Sequence, residues 1–336
     1  MMPSPQELHN AFGTYADTAA PVLRLDDIVQ GHRSLGRACI AIGAFDGVHR
    51  GHRALLADTV ADARARGIRS YAVTFDPDPD CVLPGTPAPK LMGSRERLHA
   101  LAHAGADGVF VIPFTHELAS LDYRAFFADV LGGAMDIASI HVGSDFRLGR
   151  QGLGTVDAIT AWGRPRGIAV EPHELVMFGG QAVTATRIRA ELAAGHVECA
   201  RDLLGRPYAV SGSVATGRGE GSDMGFPTAN LVVPTGIQVP ADGVYEGIAL
   251  VGDTTYPAAV NVGLPPTYAD DAASAHLEAN LIGFSGDLYG RSMALAFTRF
   301  LRPSRVFDSL DELIETVEGN IHDVIDDLGD RGVKLS

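Results

Sequence analysis

Two apolar rhythms divide the chain. From Arg37 onward, short continuous apolar runs at 38–42, 71–75, 109–112 and 138–142 alternate with stretches of helical spacing at 53–60, 94–102 and 123–131. Unbroken apolar runs of this length suit strands covered on both faces, and their alternation with helices predicts βαβ units and a parallel sheet. Five prolines between Pro77 and Pro89 exclude regular structure there and predict a loop at a strand end. Beyond residues 200–207 the rhythm changes. Short runs at 208–214, 243–251, 256–262, 276–282 and 293–300, separated by glycine and proline, predict an antiparallel barrel. Leu310, Leu313, Ile314, Val317, Ile321, Val324, Ile325 and Leu328 then follow the helical period, with Asp308 or Ser309 as the cap. Residues 1–20 have no clear period and are expected to be loosely ordered. The expected modules are 21–203 and 204–336.

The first half is organised around Gly43-Ala44-Phe45-Asp46-Gly47-Val48-His49-Arg50-Gly51-His52, where a strand hands over to a helix. Ligands bind there in open α/β sheets, outside the carboxyl ends of strands. Helix-start amides attract anions, and glycines let the backbone come close to phosphate. His49 and His52 can hold phosphate oxygens and stabilise developing charge. On spacing alone, a helix opening with two exposed histidines remains the plain alternative. Polar groups recur at other strand ends: Asp76 and Asp78, then Asp145 and Arg147. Thr186 stands near the start of a later helix as a cap, and Arg187 beside it can reach a phosphate with its forked guanidinium.

The second half carries its own group. The glycine-rich loop from Gly217 to Gly225 could wrap a phosphate chain. Thr228 and Asn230, two residues apart on an extended segment, offer hard oxygen ligands on one face, suited to a magnesium ion carried by a nucleotide. Glu278, in an alternating strand, could take a proton from a hydroxyl. The same alternation also accommodates an ordinary polar strand residue.

Composition narrows the partners. A net charge of −14 argues against non-specific nucleic-acid binding, which needs excess cations to displace counterions. Cys39, Cys81 and Cys199 are odd in number and far apart, as in a reduced protein without a zinc site. Neither a signal-peptide pattern nor a run of about twenty apolar residues is present, so no membrane partner is expected and the cytoplasm is the expected compartment.

Taken in order, these motifs resemble the prokaryotic bifunctional FAD synthetases, which join a riboflavin kinase to an FMN adenylyltransferase. The resemblance runs from about residue 22 to the end. It rests on 43–52, Phe75-Asp76-Pro77, 143–149, 186–189, 204–208, 225–230, Asn261-Val262-Gly263 with Pro266-Thr267, and Asp287-Leu288-Tyr289-Gly290. It implies a nucleotidyltransferase-type α/β module followed by a six-stranded flavokinase barrel, acting on ATP, riboflavin and FMN with Mg2+, with FMN and FAD as products. His49 and His52 would then hold ATP phosphates, with Gly43, Phe45, Asp46, Gly51 and Asp145 around the nucleotide. Thr186 and Arg187 would cradle pyrophosphate. Thr228 and Asn230 would bind Mg-ATP and Glu278 would activate the ribityl 5′-hydroxyl. Homo-oligomers are left open. Departures from the family pattern are Ala185 for a serine, Asp78 for a histidine, Ser222 for an arginine, Leu264-Pro265 for Thr-Asn, and Gly283 for an aspartate.

Overall fold

The computed structural model describes residues 2–15, 18–216, 226–263 and 276–335. Its contacts divide the chain into two compact units, one of Asp17–Ala88 with Met92–Ala185, the other of Met1–Ala16, Pro89–Leu91 and Thr186–Ser336.

In the first unit the apolar runs become β2 (Arg37–Ile42), β3 (Arg69–Phe75), β4 (Gly108–Ile112) and β5 (Asp136–Gly143), joined by β1 (Val22–Arg24) and β6 (Ala169–His173). All pair in parallel, in the order β1-β4-β3-β2-β5-β6. The continuous apolar reading is explained by burial: Ala38 to Ile42 and Val109 to Ile112 are all at most 1% exposed, so no strand face is left for polar residues. Strand order reverses direction at β2. Its neighbours β3 and β5 are reached by crossovers on opposite sides, which opens a crevice at the carboxyl ends of β2 and β5.

The second unit holds β7 (Tyr208–Ala215), β8 (Ala229–Val232), β9 (Gly243–Val251), β10 (Thr254–Val262), β11 (His276–Leu281) and β12 (Ser292–Arg302). Antiparallel pairing runs β9-β12-β7-β8-β11-β10, and the β9–β10 pairing closes the ring into a six-stranded barrel. Closure leaves no bare edge among these strands. The helix Leu310–Leu328 starts at Ser309, whose side chain accepts from the Glu312 amide at 3.2 Å, and lays Val324 and Leu328 against Ile248 and Ile282.

Two local features differ from the apolar pattern. Pro5–Phe12, inside the stretch without a period, is a helix closed by a Ser4–Glu7 capping box, with Leu8 buried beside Ile248 and Val324. The helices Ala185–Ala193 and Val197–Leu204 fall within or border the second unit. Val197, Ala200, Leu203 and Leu204 are fully buried, and Glu198 accepts from the Phe300 amide of β12 at 3.0 Å.

Candidate functional site

A pocket of about 260 Å³ sits at the crevice between β2 and β5. Gly43, Phe45, His49, Gly51 and His52 line it from the loop after β2, and Gly143 and Asp145 from the end of β5. His173 and Glu174 follow β6, and Thr184 and Ala185 complete the wall. The sequence therefore names most of the lining from the two switch-point strands, and misses His173 and Glu174.

The loop's shape explains how its histidines meet. Phe45 and Val48 both take left-handed backbone, with φ of 56° and 40°, and Gly47 lies between them at 74°. A β-branched valine there is an outlier of the kind that concentrates at ligand-binding loops. His49 is the N-cap of the helix Arg50–Arg66, and its Nδ1 accepts from the His52 amide at 3.3 Å. That bond keeps Nδ1 unprotonated, so a neutral His49 carries its proton on Nε2. The two imidazoles stack with centroids 3.6 Å apart and planes 17° apart, and Phe45 meets His52 edge-on at 5.2 Å. Burial first, and then the neighbouring His49, hold His52 well below the ordinary histidine value. Its Nδ1 is buried with no hydrogen-bond partner in the protein. A buried polar atom left unpaired is costly, and the residue that carries it lines the pocket.

Other predicted residues are placed differently. Asp46 is buried in the turn Asp46–Val48, outside the pocket lining. Asp76 and Asp78 serve the framework. Asp76 accepts from Ser94 Oγ at 2.7 Å, and Asp78 pairs with Arg97, which is 1% exposed. The Arg97 guanidinium also donates to the carbonyls of Ala44 at 2.5 Å and Phe75 at 2.7 Å, tying the histidine loop to the end of β3. Thr186 and Arg187 open the helix Ala185–Ala193 in the second unit, with Arg187 Nε 3.8 Å from Glu191.

On the barrel, Asn230 of β8 lies directly opposite Glu278 of β11, and Glu278 directly opposite Asn261 of β10. Residues paired across strands point to the same face, so the three form one polar row. Their chain neighbours Ala229, Leu231, Leu277, Ala279, Val260 and Val262 are buried, which puts the row on the outer face of the barrel. Thr228, two residues before Asn230, is half-buried. Asn261 is a partner in this row that alternation alone does not single out. Thr228 and Asn230 supply neutral oxygens, a set that fits magnesium arriving on nucleotide phosphates better than a cage of charged ligands. Among the described residues no group of three or more His, Cys, Asp or Glu could hold a metal. Gly217, Gly225, Ser222, Leu264, Pro265, Pro266 and Thr267 lie outside the described residues. Gly283 has φ of 75°, and a Cβ there would meet the Asp330 carbonyl at 2.7 Å, so this backbone has no room for the aspartate usual at that position.

Family models for FAD synthetase and for riboflavin kinase match residues 32–187 and 204–327. The bifunctional riboflavin kinase/FMN adenylyltransferase of Pseudomonas fluorescens is 34% identical over 85% of this chain and 91% of its own length. That of Escherichia coli K12 is 35% identical over 85% and 93%. A crystal structure of a Streptococcus pneumoniae protein described as a macrolide-efflux protein superposes with a TM-score of 0.77 at 27% identity, covering 85% of this chain and 93% of that one. Among the described residues no helix is long and apolar enough to cross a membrane. With both family models in sequence and full-length relatives above 30% identity, the chain belongs to the family of bifunctional riboflavin kinase/FMN adenylyltransferases.

Proposed function

We propose that this chain makes FAD in two steps: riboflavin and Mg-ATP give FMN and ADP, and FMN and a second ATP give FAD and pyrophosphate. The assignment of the steps is 204–336 for the kinase and 21–203 for the adenylyltransferase, in the cytoplasm, with small molecules and neither nucleic acid nor membrane as partners. The observation that carries the reading is the coexistence of two separate polar constellations on one chain, the stacked histidines in the crevice and the Asn230–Glu278 row on the barrel.

In the first, His49 donates from Nε2 to an ATP phosphate oxygen, with His52 beside it in the pocket wall. Donors fixed in a loop before substrate arrives stabilise charge building on the α-phosphate and leaving pyrophosphate as the FMN phosphate attacks in line. Asp145 and the glycines shape the nucleotide's bed, while Thr186 and Arg187 receive pyrophosphate. In the second, Glu278 accepts the proton of the ribityl 5′-hydroxyl as it attacks the γ-phosphate. Thr228 and Asn230 would hold Mg2+ on the ATP, where it neutralises phosphate charge.

A second reading has one specific support. Ala185 lines the pocket, so the hydroxyl expected there from the family pattern is missing from the site itself. That favours a slow adenylyl step, in the extreme a kinase alone. Chromatography of products from riboflavin, ATP and magnesium, beside a reaction started from FMN, separates the two. FMN followed by FAD establishes both steps; FMN without FAD in either tube leaves only the kinase; no product refutes both.

A further inference from the structure

A second pair of histidines lies in the first unit, one of them in the pocket wall. His141 of β5 and His173 at the end of β6 have centroids 5.1 Å apart, with His141 Nδ1 2.9 Å from His173 Nε2. At the buried end, His141 Nε2 is 3.1 Å from Oδ2 of Asp62 and 3.2 Å from Ser139 Oγ, whose own hydrogen goes to Asp62 at 2.6 Å. At the outer end, His173 Nδ1 is 3.1 Å from Oδ2 of Asp58. Asp58 and Asp62 sit one turn apart on the helix Arg50–Arg66, so one helix face brackets both rings.

Counting protons along this chain gives an odd result. There are three gaps: Asp62 to His141, His141 to His173, and His173 to Asp58. A carboxylate donates nothing, so each gap takes its proton from an imidazole, and two neutral imidazoles supply only two. Without a third proton, one bare nitrogen lone pair faces either another lone pair or a carboxylate. We infer that His141 and His173 share one proton beyond those of two neutral rings, making His173 a cationic positioning residue that helps the pocket hold an anionic nucleotide.

The surroundings favour this arrangement. Around His141 stand Asp62 and Arg66 on the helix, Cys39 on β2, Ser139 on β5 and Glu171 on β6. Burial opposes the Asp62 charge, but hydrogen bonds from Ser139, Arg66, His141 and Cys39 hold its carboxyl well below the usual carboxylate range, so it remains an acceptor. Burial disfavours a charge on His141, whereas His173 is the less buried ring and faces the exposed Asp58 carboxylate. His173 in turn shares the pocket with Glu174, Asp145, His49 and His52. When the pH rises through the pair's own pKa the third proton leaves, and the wall loses its cation. Nucleotide binding then weakens while the bound complex reacts as before.

The consequence for catalysis rests on the adenylyltransferase reading; the proton count does not. Nitrogen-15 NMR of the ligand-free full chain, labelled at histidine, reads the count directly. The expected result is that the pair retains three ring protons at pH 7, and that Asp58→Ala, at an exposed position, lowers its titration by about one pH unit, as loss of an adjacent opposite charge does. In FAD formation, KM for ATP should rise with pH in the wild type, with kcat little changed. In Asp58→Ala the rise should come about one unit earlier, and riboflavin phosphorylation should be unaffected. Two neutral rings at pH 7, or pH profiles of KM that superimpose, overturn the inference. No FAD from the wild type at any pH would instead refute the adenylyltransferase reading, and the ring titration would still decide the shared proton.

Discussion

Replacing Gly51 by alanine tests whether the histidine geometry does the chemistry. A Cβ at this position would lie 3.1 Å from His49 Cε1 and 3.2 Å from its Nδ1, with the Val183 carbonyl at 3.5 Å behind. These contacts are too close by a few tenths of an ångström, and the side that can yield is the imidazole. His49 cannot yield freely, because the ring is stacked 3.6 Å from His52 and its Nδ1 caps the helix. A shift of the ring moves the Nε2 donor away from the position where transition-state charge develops. Misplacement by about 1 Å can cost roughly 100-fold, so a few tenths should cost about 10-fold, or about 1.4 kcal/mol of barrier. Stability moves by a smaller amount. Alanine gains up to about 1 kcal/mol over glycine in a helix, offset by a weakened cap of similar size. The expected variant is therefore folded, phosphorylates riboflavin at the wild-type rate, and converts supplied FMN to FAD about 10 times more slowly, as measured by chromatography of the flavins. Full FAD formation by Gly51→Ala would refute the argument that this glycine exists to admit the His49 ring.

Four further outcomes follow from the same geometry. Glu278→Gln should reduce FMN formation from riboflavin by about 100-fold or more, the usual worth of a general base, while FMN supplied directly still becomes FAD. Ala185→Ser restores a hydroxyl to the pocket wall, and one hydrogen bond worth about 1 kcal/mol should raise FAD formation about fivefold; an unchanged rate would show that the departure is silent. Arg97→Met removes the buried guanidinium that pairs with Asp78 and binds the carbonyls of Ala44 and Phe75, and should cost about 3–5 kcal/mol in urea unfolding, and clearly less when Asp78→Asn is also present, the non-additivity expected of a true pair. His52 is held neutral by the fold, whereas the unfolded chain takes up a proton below about pH 6.5. Its contribution is thus complete above that pH and is lost on acidification, by up to about 1.4 kcal/mol per pH unit. Between pH 7.5 and 5.5 the unfolding free energies of the wild type and of His52→Gln should diverge by up to about 1.4 kcal/mol in total, nearly all of it below pH 6.5.

What the sequence discloses depends on the range of the interaction behind each feature. The parallel strands were legible because burial on both faces leaves an unbroken apolar run, and the loop 43–52 because glycines and histidines crowd one strand end. The helix Pro5–Phe12 was missed among residues expected to be loosely ordered, because it is secured by one buried leucine resting on residues more than 200 positions away. Strand order decides which loops converge, and a single chain does not print it. Asp76 and Asp78 end β3, on the side of β2 away from β5, and are spent on Ser94 and Arg97, whereas Asp145 ends β5 and lines the pocket.

The same limit hides Arg97 and His173. An arginine within a helix reads as surface until the carbonyls of Ala44 and Phe75 are found on its guanidinium. A histidine closing a modest strand gains meaning only when β6 is seated beside β5 and sets it against His141. Both act through neighbours distant in sequence, and neither belongs to a short motif. Residues that touch substrate cluster near glycines and announce themselves, whereas those that position them are dispersed, because a site is held rigid by contacts from several elements at once. Substitutions at such dispersed positions should therefore change binding and pH response in this enzyme while leaving every recognisable motif intact.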